Sequence, residues 1–422
     1  MESNVHTREV LDASADASNA ATLVAADAVP FPAPPAAGLS RRQVLKVVGI
    51  GAASVAVAGT GAASYRVFDT AALDPGSGHA YDPWRHWQGD PGPLGAVGAA
   101  ILAANPHNTQ PWSFLITDST VDVFLDPERT IGSVDPYRRE QHVGLGCAVE
   151  NLTLACQARG LRPAVTLLPA GDADRVAHVA LTRAQPQRSA LHDAISSRHT
   201  DRGPYADRPL SASTLADLVD TTDLTGVSLT WITDPGAMRD LGRLLVDAAG
   251  AVVADEQQSK DGFAWFRSSN DAVQKHRDGL SLDAQGLSPL VLALGKLLPA
   301  SSRTAGDTFW VTQTRTVHTK TAAAYGVITA ANPDDRATQL LAGRLLQRTH
   351  LTATARGVAL QHMNQITERM DAERATGAEA TFGPRFTRLL PTGARPVVTF
   401  RVGYPSRAAR PSPRRAVKDV LR

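Results

Sequence analysis

The 422-residue sequence has only two cysteines, 5% aromatic residues and almost no net charge. Two cysteines exclude a disulfide-built scaffold and a cysteine-rich zinc module. Cys147 and Cys156 share one apolar stretch, CAVENLTLACQARG. In a helix they would sit on opposite faces, about 13 Å apart along the axis, beyond disulfide reach. The 43 Lys and Arg against 41 Asp and Glu leave a formal charge of +2, without the clustered basic excess of a nucleic-acid binder. Metalloprotease HExxH, paired CxxC, GxSxG and phosphate-loop GxxxxGK[ST] motifs are absent, as is a GxGxxG fingerprint after a strand. The 12 histidines are scattered without ligand spacing. From Tyr65 onward no run is long and apolar enough to span a bilayer.

What is present begins with a leader. Residues 1–39 are polar, Ala-rich and interrupted by FPAPPAAG, a disordered composition. SRRQVLK (40–46) then precedes the Gly/Ala-rich run at 47–64, with small residues at Ala62, Ala63 and Ser64. Paired arginines before such a run fit a twin-arginine export signal or anchor over 40–66. Export to the cell envelope, with transient membrane association through this leader, is the expectation; a cytoplasmic location is the alternative.

Beyond the leader, 93–104 reads as a buried helix and 113–117 with 121–125 as a hairpin. A helix over 143–159 stops at Gly160, and 164–168 pairs with 176–181 as strands. Further helices are expected at 215–219, 238–254 and 334–356, and strands at 227–233 and 396–404. Residues 255–308 lack clear periodicity and read as an inserted lid. Residues 154–161 echo 351–358, each an apolar helix ending in Ala-Arg-Gly-aliphatic, which raises two related halves.

Two segments carry the most chemistry. AANPHNTQPWSF (103–114) is a proline-stiffened loop whose amides suit the edge of a planar heterocycle, although such strings are commonly plain turns. ISSRHTDRGPY (195–205) puts two arginines and a hydroxyl within five residues, a forked grip for phosphate or a solvated charged turn. A third basic group, Arg407, Arg410, Arg414 and Arg415, follows the last strand.

Together ILAANPHNTQPWSF (101–114), GCAVENLTLACQARGL (146–161), ISSRHTDRGPY (195–205), DTFWVTQT (307–314), the stretch 341–365 and RVGYPSRAARPSPRR (401–415) resemble the nitroreductase superfamily of FMN proteins, in its Acg-like branch. The resemblance spans roughly residues 90–415 in the family's order. It implies an α+β fold in which two nitroreductase-like halves, 67–190 and 191–422, are fused into a single-chain pseudo-dimer around a mixed or antiparallel sheet. It also implies FMN at the interface of the halves, one per chain because the arginine motif occurs once. By resemblance, Arg198, Thr200 and Arg202 hold the phosphate and the pyrimidine edge of the ring. Asn108 and Gln110 face the flavin or its ribityl chain, and Arg414 and Arg415 join the phosphate. Asn364 and Gln365 fall where a backbone N–H lies near flavin N5.

The implied activity is two-electron transfer between NAD(P)H or another donor and a small nitro compound or quinone, with no side chain acting as acid or base. Scarcity of NAD(P)H outside the cytoplasm keeps a second reading open, a protein that binds and sequesters FMN without reductase turnover. A third is a flavin-free envelope protein. A monomeric pseudo-dimer or a homodimer would satisfy the resemblance.

Overall fold

A computed structural model describes residues 71, 74–220, 222–297 and 300–422. The expected leader (1–39) and signal-type segment (40–66) lie outside the described residues. Among the described residues no helix is long and apolar enough to cross a membrane.

Alternating apolar residues at 112–125 form the expected hairpin. β1 (Trp112–Ile116) and β2 (Thr120–Leu125) pair antiparallel, Trp112 opposite Leu125. The Thr117 hydroxyl caps the turn by accepting the N–H groups of Ser119 and Thr120. β3 (Leu161–Leu167) and β4 (Arg175–Arg183) complete an antiparallel sheet in the order β1-β2-β4-β3. The second half repeats it. β5 (Val227–Ile232), β6 (Ala324–Ala330), β7 (Ala359–His362) and β8 (Arg395–Gly403) form a separate antiparallel sheet in the order β5-β6-β8-β7. The α+β architecture in two halves is thus as expected, with the sheet resolved into two four-stranded antiparallel ones.

Among the longer helices, α1 (Gly92–Ala100) and α2 (Arg139–Ala158) belong to the first half. α3 (Pro235–Ala254) follows β5, and α4 (Glu256–Phe263), α5 (Asn270–His276), α6 (Pro289–Leu297) and α7 (Arg303–Gln313) lie in the stretch that looked irregular. Asp255, Ser269 and Ser302 cap the amino-terminal N–H groups of α4, α5 and α7. The second half continues with α8 (Arg336–Ala355) and α9 (Gln365–Thr376).

α2 and α8 carry the sequence echo. Each has 20 residues, lies between the second and third strands of its sheet, and ends before a glycine at positive φ, Gly160 (+73°) and Gly357 (+68°). The echo offset of 197 maps Gly146 onto Gly343 and Val143 onto Leu340. These pairs meet at the helix crossing. A Cβ on Gly146 would lie 2.1 Å from the Leu340 carbonyl oxygen, and one on Gly343 would lie 2.0 Å from that of Val143. Reciprocal contact between equivalent positions is the signature of a twofold interface, here inside one chain.

Two strands were not expected from the sequence. β6 is buried at every position, so it shows no alternation. β7 spans only four residues. The helix expected over 93–104 ends at Ala100, because Leu102 and Ala103 turn their carbonyls toward two arginines described below.

Gly146→Ala and Gly343→Ala are each expected to destabilise the protein by about 2 kcal/mol or more, at comparable cost. Urea unfolding measures this; wild-type stability for either variant would contradict the crossing.

Candidate functional site

The loop after α1 is held in an unusual backbone conformation. His107 (φ 46°), Asn108 (55°) and Gln110 (53°) are all left-handed, at a cost of roughly 1–2 kcal/mol each. Surrounding bonds hold it there. The Asn105 carboxamide oxygen accepts the Gln110 N–H at 2.8 Å, and Gln110 Nε2 donates to the Arg277 carbonyl at 2.8 Å. Asn108 Nδ2 donates to the carbonyls of Gly279 (3.1 Å) and Pro413 (2.9 Å). The loop therefore ties the α5–α6 connection and the carboxy-terminal segment to the first half.

The segment carrying Arg198 and Arg202 passes between the halves. Asp201 N–H donates to the Leu360 carbonyl on β7 at 3.1 Å. Arg198 donates to the Leu102 carbonyl (3.0 Å) and to His350 Nδ1 on α8 (3.3 Å). Arg414 donates to Asn108 Oδ1 (2.5 Å) and to the carbonyls of Ala103 (3.2 Å), Pro413 (3.0 Å) and Leu102 (3.5 Å). Trp84 carries both guanidiniums, with Arg198 Cζ 5.8 Å and Arg414 Cζ 4.8 Å from its ring, and His199 packs edge-on at 4.6 Å.

Arg198, Thr200, Arg202, Arg414, Asn105 and Asn108 line one cavity, with Leu280 from the α5–α6 connection at its wall. A second, larger cavity of about 190 Å³ adjoins it, sharing Thr200 and Arg202. The two motif segments thus line one crevice, together with Arg414 from the carboxy-terminal segment.

Electrostatics sets this crevice apart. Arg198 and Arg414 are only 2% and 3% exposed. Among the described residues, no carboxylate forms an ion pair with Arg198, Arg202 or Arg414; their hydrogen bonds go to carbonyls, an amide and an imidazole. Burial pulls the Arg198 and Arg202 guanidiniums down to about 10. Burial, and then the charge of Arg198, pulls Arg414 well down. The nearby imidazoles stay neutral. Burial, then Arg198 and Arg414, holds His199 at about 3, and burial, then Arg198 and Arg202, holds His362 at about 3. Nε of Arg198 and of Arg414 and Nδ1 of His199 have no hydrogen-bond partner. Unpaired buried charge is costly, so the cavity is built to receive an anion that can accept forked bonds.

Elsewhere buried Arg139 and Arg344 are paired with carboxylates, whereas fully buried Arg401 is satisfied by Gln361, Thr321 and the His318 and Gly203 carbonyls. Arg139 meets Asp371 at 2.9 Å and Glu140 at 2.7 Å. Glu150 takes Arg344 at 2.8 Å and Arg348 at 2.5 Å. The 197-residue offset maps Glu150 onto Gln347, which accepts the Ala104 N–H at 3.4 Å beside the arginine cavity. One side of the pseudo-twofold therefore holds an internal acid where the other holds a neutral amide.

Several expected site residues take other roles. Asn108 lines the cavity, but its Nδ2 and Oδ1 are already committed to protein partners. Gln110 is fully buried one layer behind, and Arg415 clamps it there through the carbonyls of Gln110 (3.0 Å) and Trp112 (2.9 Å). Neither Gln110 nor Arg415 lines the cavities. Asn364 and Gln365 do not line them either. Asn364 Nδ2 donates to Glu140 (2.7 Å) and its Oδ1 accepts the Thr399 N–H (2.8 Å), while Gln365 donates to the Leu245 carbonyl at 3.5 Å. Asn364 thereby joins the buried charge network of Arg139, Glu140 and Asp371. Trp84, Asn105, His199, Leu280 and Ser412 line the cavity without having been singled out as site residues. Trp84 has no local motif, since its Nε1 donates to Ser412, 328 positions away.

No family model matches the chain. Over 333 residues it is 26% identical to a Mycobacterium tuberculosis protein described as a candidate NAD(P)H nitroreductase, covering 76% of this chain and 88% of the relative. It is 32% identical over 120 residues to another M. tuberculosis protein so described, acg, covering 27% of this chain and 36% of that protein. Among solved structures it is similar to an FMN-bound nitroreductase from Desulfitobacterium hafniense, at 14% identity and a TM-score of 0.33, over 55% of this chain and 97% of that one.

Glu150→Gln, which strands two buried arginines, is expected to destabilise the protein by roughly 3–5 kcal/mol. Arg198→Met removes a charge that has no acid partner among the described residues and leaves the Leu102 carbonyl its bond from Arg414, so the protein should keep its stability or gain. Denaturant unfolding of both variants checks the contrast; a large loss in Arg198→Met would refute the unpaired-charge reading.

Proposed function

We propose that the chain is an FMN-dependent oxidoreductase of the nitroreductase superfamily, built as a single-chain pseudo-dimer that binds one FMN. The carrying observation is the crevice in which Arg198, Arg202 and Arg414 lie without a carboxylate partner. The donor set fits a flavin nucleotide: guanidinium forks and the Thr200 hydroxyl, which makes no hydrogen bond among the described residues, for the phosphate, and Arg202 on the shared wall for the ring. Similarity to the mycobacterial proteins described as NAD(P)H nitroreductases supports the same reading.

When bound, the flavin supplies two-electron transfer through N5. The side chains position and screen it. Arg198, Thr200 and Arg414 hold the anionic end. Arg202 places positive charge where reduction builds negative charge. Trp84 and Leu280 exclude water from the inner cavity, and the neutral imidazoles of His199 and His362 leave acid–base work to solvent and substrate. A small nitro compound or quinone is the acceptor, and NAD(P)H or another reductant the donor.

In this proposal the halves are 67–190 and 191–422, 255–308 is a lid, and 40–66 directs export to the cell envelope. One observation favours a second reading, an FMN-sequestering protein without reductase turnover. The α5–α6 connection is pinned over the cavity, with Gly279 bound to Asn108 and Arg277 to Gln110 and, at 2.8 Å, to Asp419. Bleaching of bound flavin by NADPH and its reoxidation by a nitroaromatic separates the readings; a yellow protein that resists both is the sequestering one.

Flavin released from pure protein should amount to one FMN per chain, and Arg202→Ala should retain markedly less. Two per chain, or an Arg202→Ala variant with wild-type content and spectrum, would contradict the site.

A further inference from the structure

The larger cavity lies against the arginine crevice but has a different lining. Its floor is the seam between the α5–α6 connection and the arginine segment, where a Cβ on Gly286 would fall 2.1 Å from the Gly203 nitrogen. Leu287, Pro289, Ala408 and Ala409 give it apolar walls. At about 190 Å³ it exceeds the roughly 150 Å³ cavity that takes up benzene, enough for a small organic molecule.

Its charges are unbalanced. Arg202, Arg407 and Arg410 face it, against the carboxyls of Asp201 and Asp283. Asp283 is already neutralised, with Lys296 Nζ at 2.5 Å and the Gly76 N–H at 3.0 Å. Asp201 accepts the Gly203 N–H at 2.8 Å, and burial pushes its carboxyl upward. Exposed Arg407 and half-buried Arg410 make no hydrogen bond or ion pair among the described residues, and Arg407 acts on Asp201 only through its charge. Two free forks beside an apolar wall are complementary to one anionic group on an apolar body.

We propose that this second cavity is a substrate subsite that selects small organic acids, a carboxylate gripped by Arg407 and Arg410 with its apolar body against Leu287 and Pro289. As a substrate assignment it rests on the oxidoreductase reading; as a binding site it stands on the cavity alone. Arg407 and Arg410 lie outside the smaller cavity, so their loss should spare the nucleotide.

The test is calorimetric titration of the protein as purified with 4-nitrobenzoate, nitrobenzene and inorganic phosphate, for wild type, Arg407→Ala and Arg410→Ala. Wild type should bind 4-nitrobenzoate at least about tenfold more tightly than nitrobenzene or phosphate, and each variant should lose about tenfold for 4-nitrobenzoate alone, with FMN content unchanged. No binding of 4-nitrobenzoate, equal binding of nitrobenzene, equal binding of phosphate, or indifference to both substitutions would overturn the proposal. Loss of FMN from either variant would overturn it too, by making the cavity part of the nucleotide site. A colourless wild-type protein that still discriminates the three ligands would sink the flavin reading and leave the acid subsite standing.

Discussion

Buried Arg198 and Arg414, with half-buried Arg202 beside them, have no carboxylate partner among the described residues, and this is the constraint around which the site is arranged. A buried cation costs several kcal/mol unless an anion or a full set of acceptors accompanies it. This chain meets that cost only in part, by ending α1 early so that the Leu102 and Ala103 carbonyls turn to Arg198 and Arg414. Trp84 offers both arginines its π face. What remains unmatched among the described residues is positive charge beside one crevice, with Nε of Arg198 and of Arg414 unpartnered. A bound phosphate monoester answers both.

The internal twofold does not extend to this crevice. Duplicated halves cross at Gly146 and Gly343, where no side chain fits, so the two long helices lie in close contact. Around that axis equivalent positions have diverged. Glu150 neutralises Arg344 and Arg348 on one side, whereas its counterpart Gln347 bonds a backbone N–H on the other. A fused chain can specialise its two sides, which a homodimer of identical chains cannot.

Much of the fold was legible because its signals are local. The hairpin at β1 and β2 alternates, α2 and α8 end on glycines, and the Ala-Arg-Gly echo marked the duplication. β6 was hidden because full burial removes alternation, and the helices of 255–308 because their capping residues read as polar irregularity. Arg198 and Arg202, marked by their spacing, and Arg414, marked by the resemblance, are brought to one crevice. The roles of Gln110, Arg415, Asn364 and Gln365 were not legible. An amide or guanidinium looks the same in sequence whether it faces a ligand or a carbonyl, and only the third dimension shows Gln110 clamped by Arg415 and Asn364 bound to Glu140. Trp84 and Leu280 enter the crevice from elements with no motif at all.

The central claim concerns charge, so the most direct measurement compares two ligands that differ only in it. Equilibrium titration of flavin-free protein with FMN and with riboflavin should give FMN at least about 100-fold the affinity of riboflavin, the worth of a phosphate held by charge-assisted bonds from two or three guanidiniums. Equal affinities would mean that the buried arginines hold no phosphate, and would contradict the account.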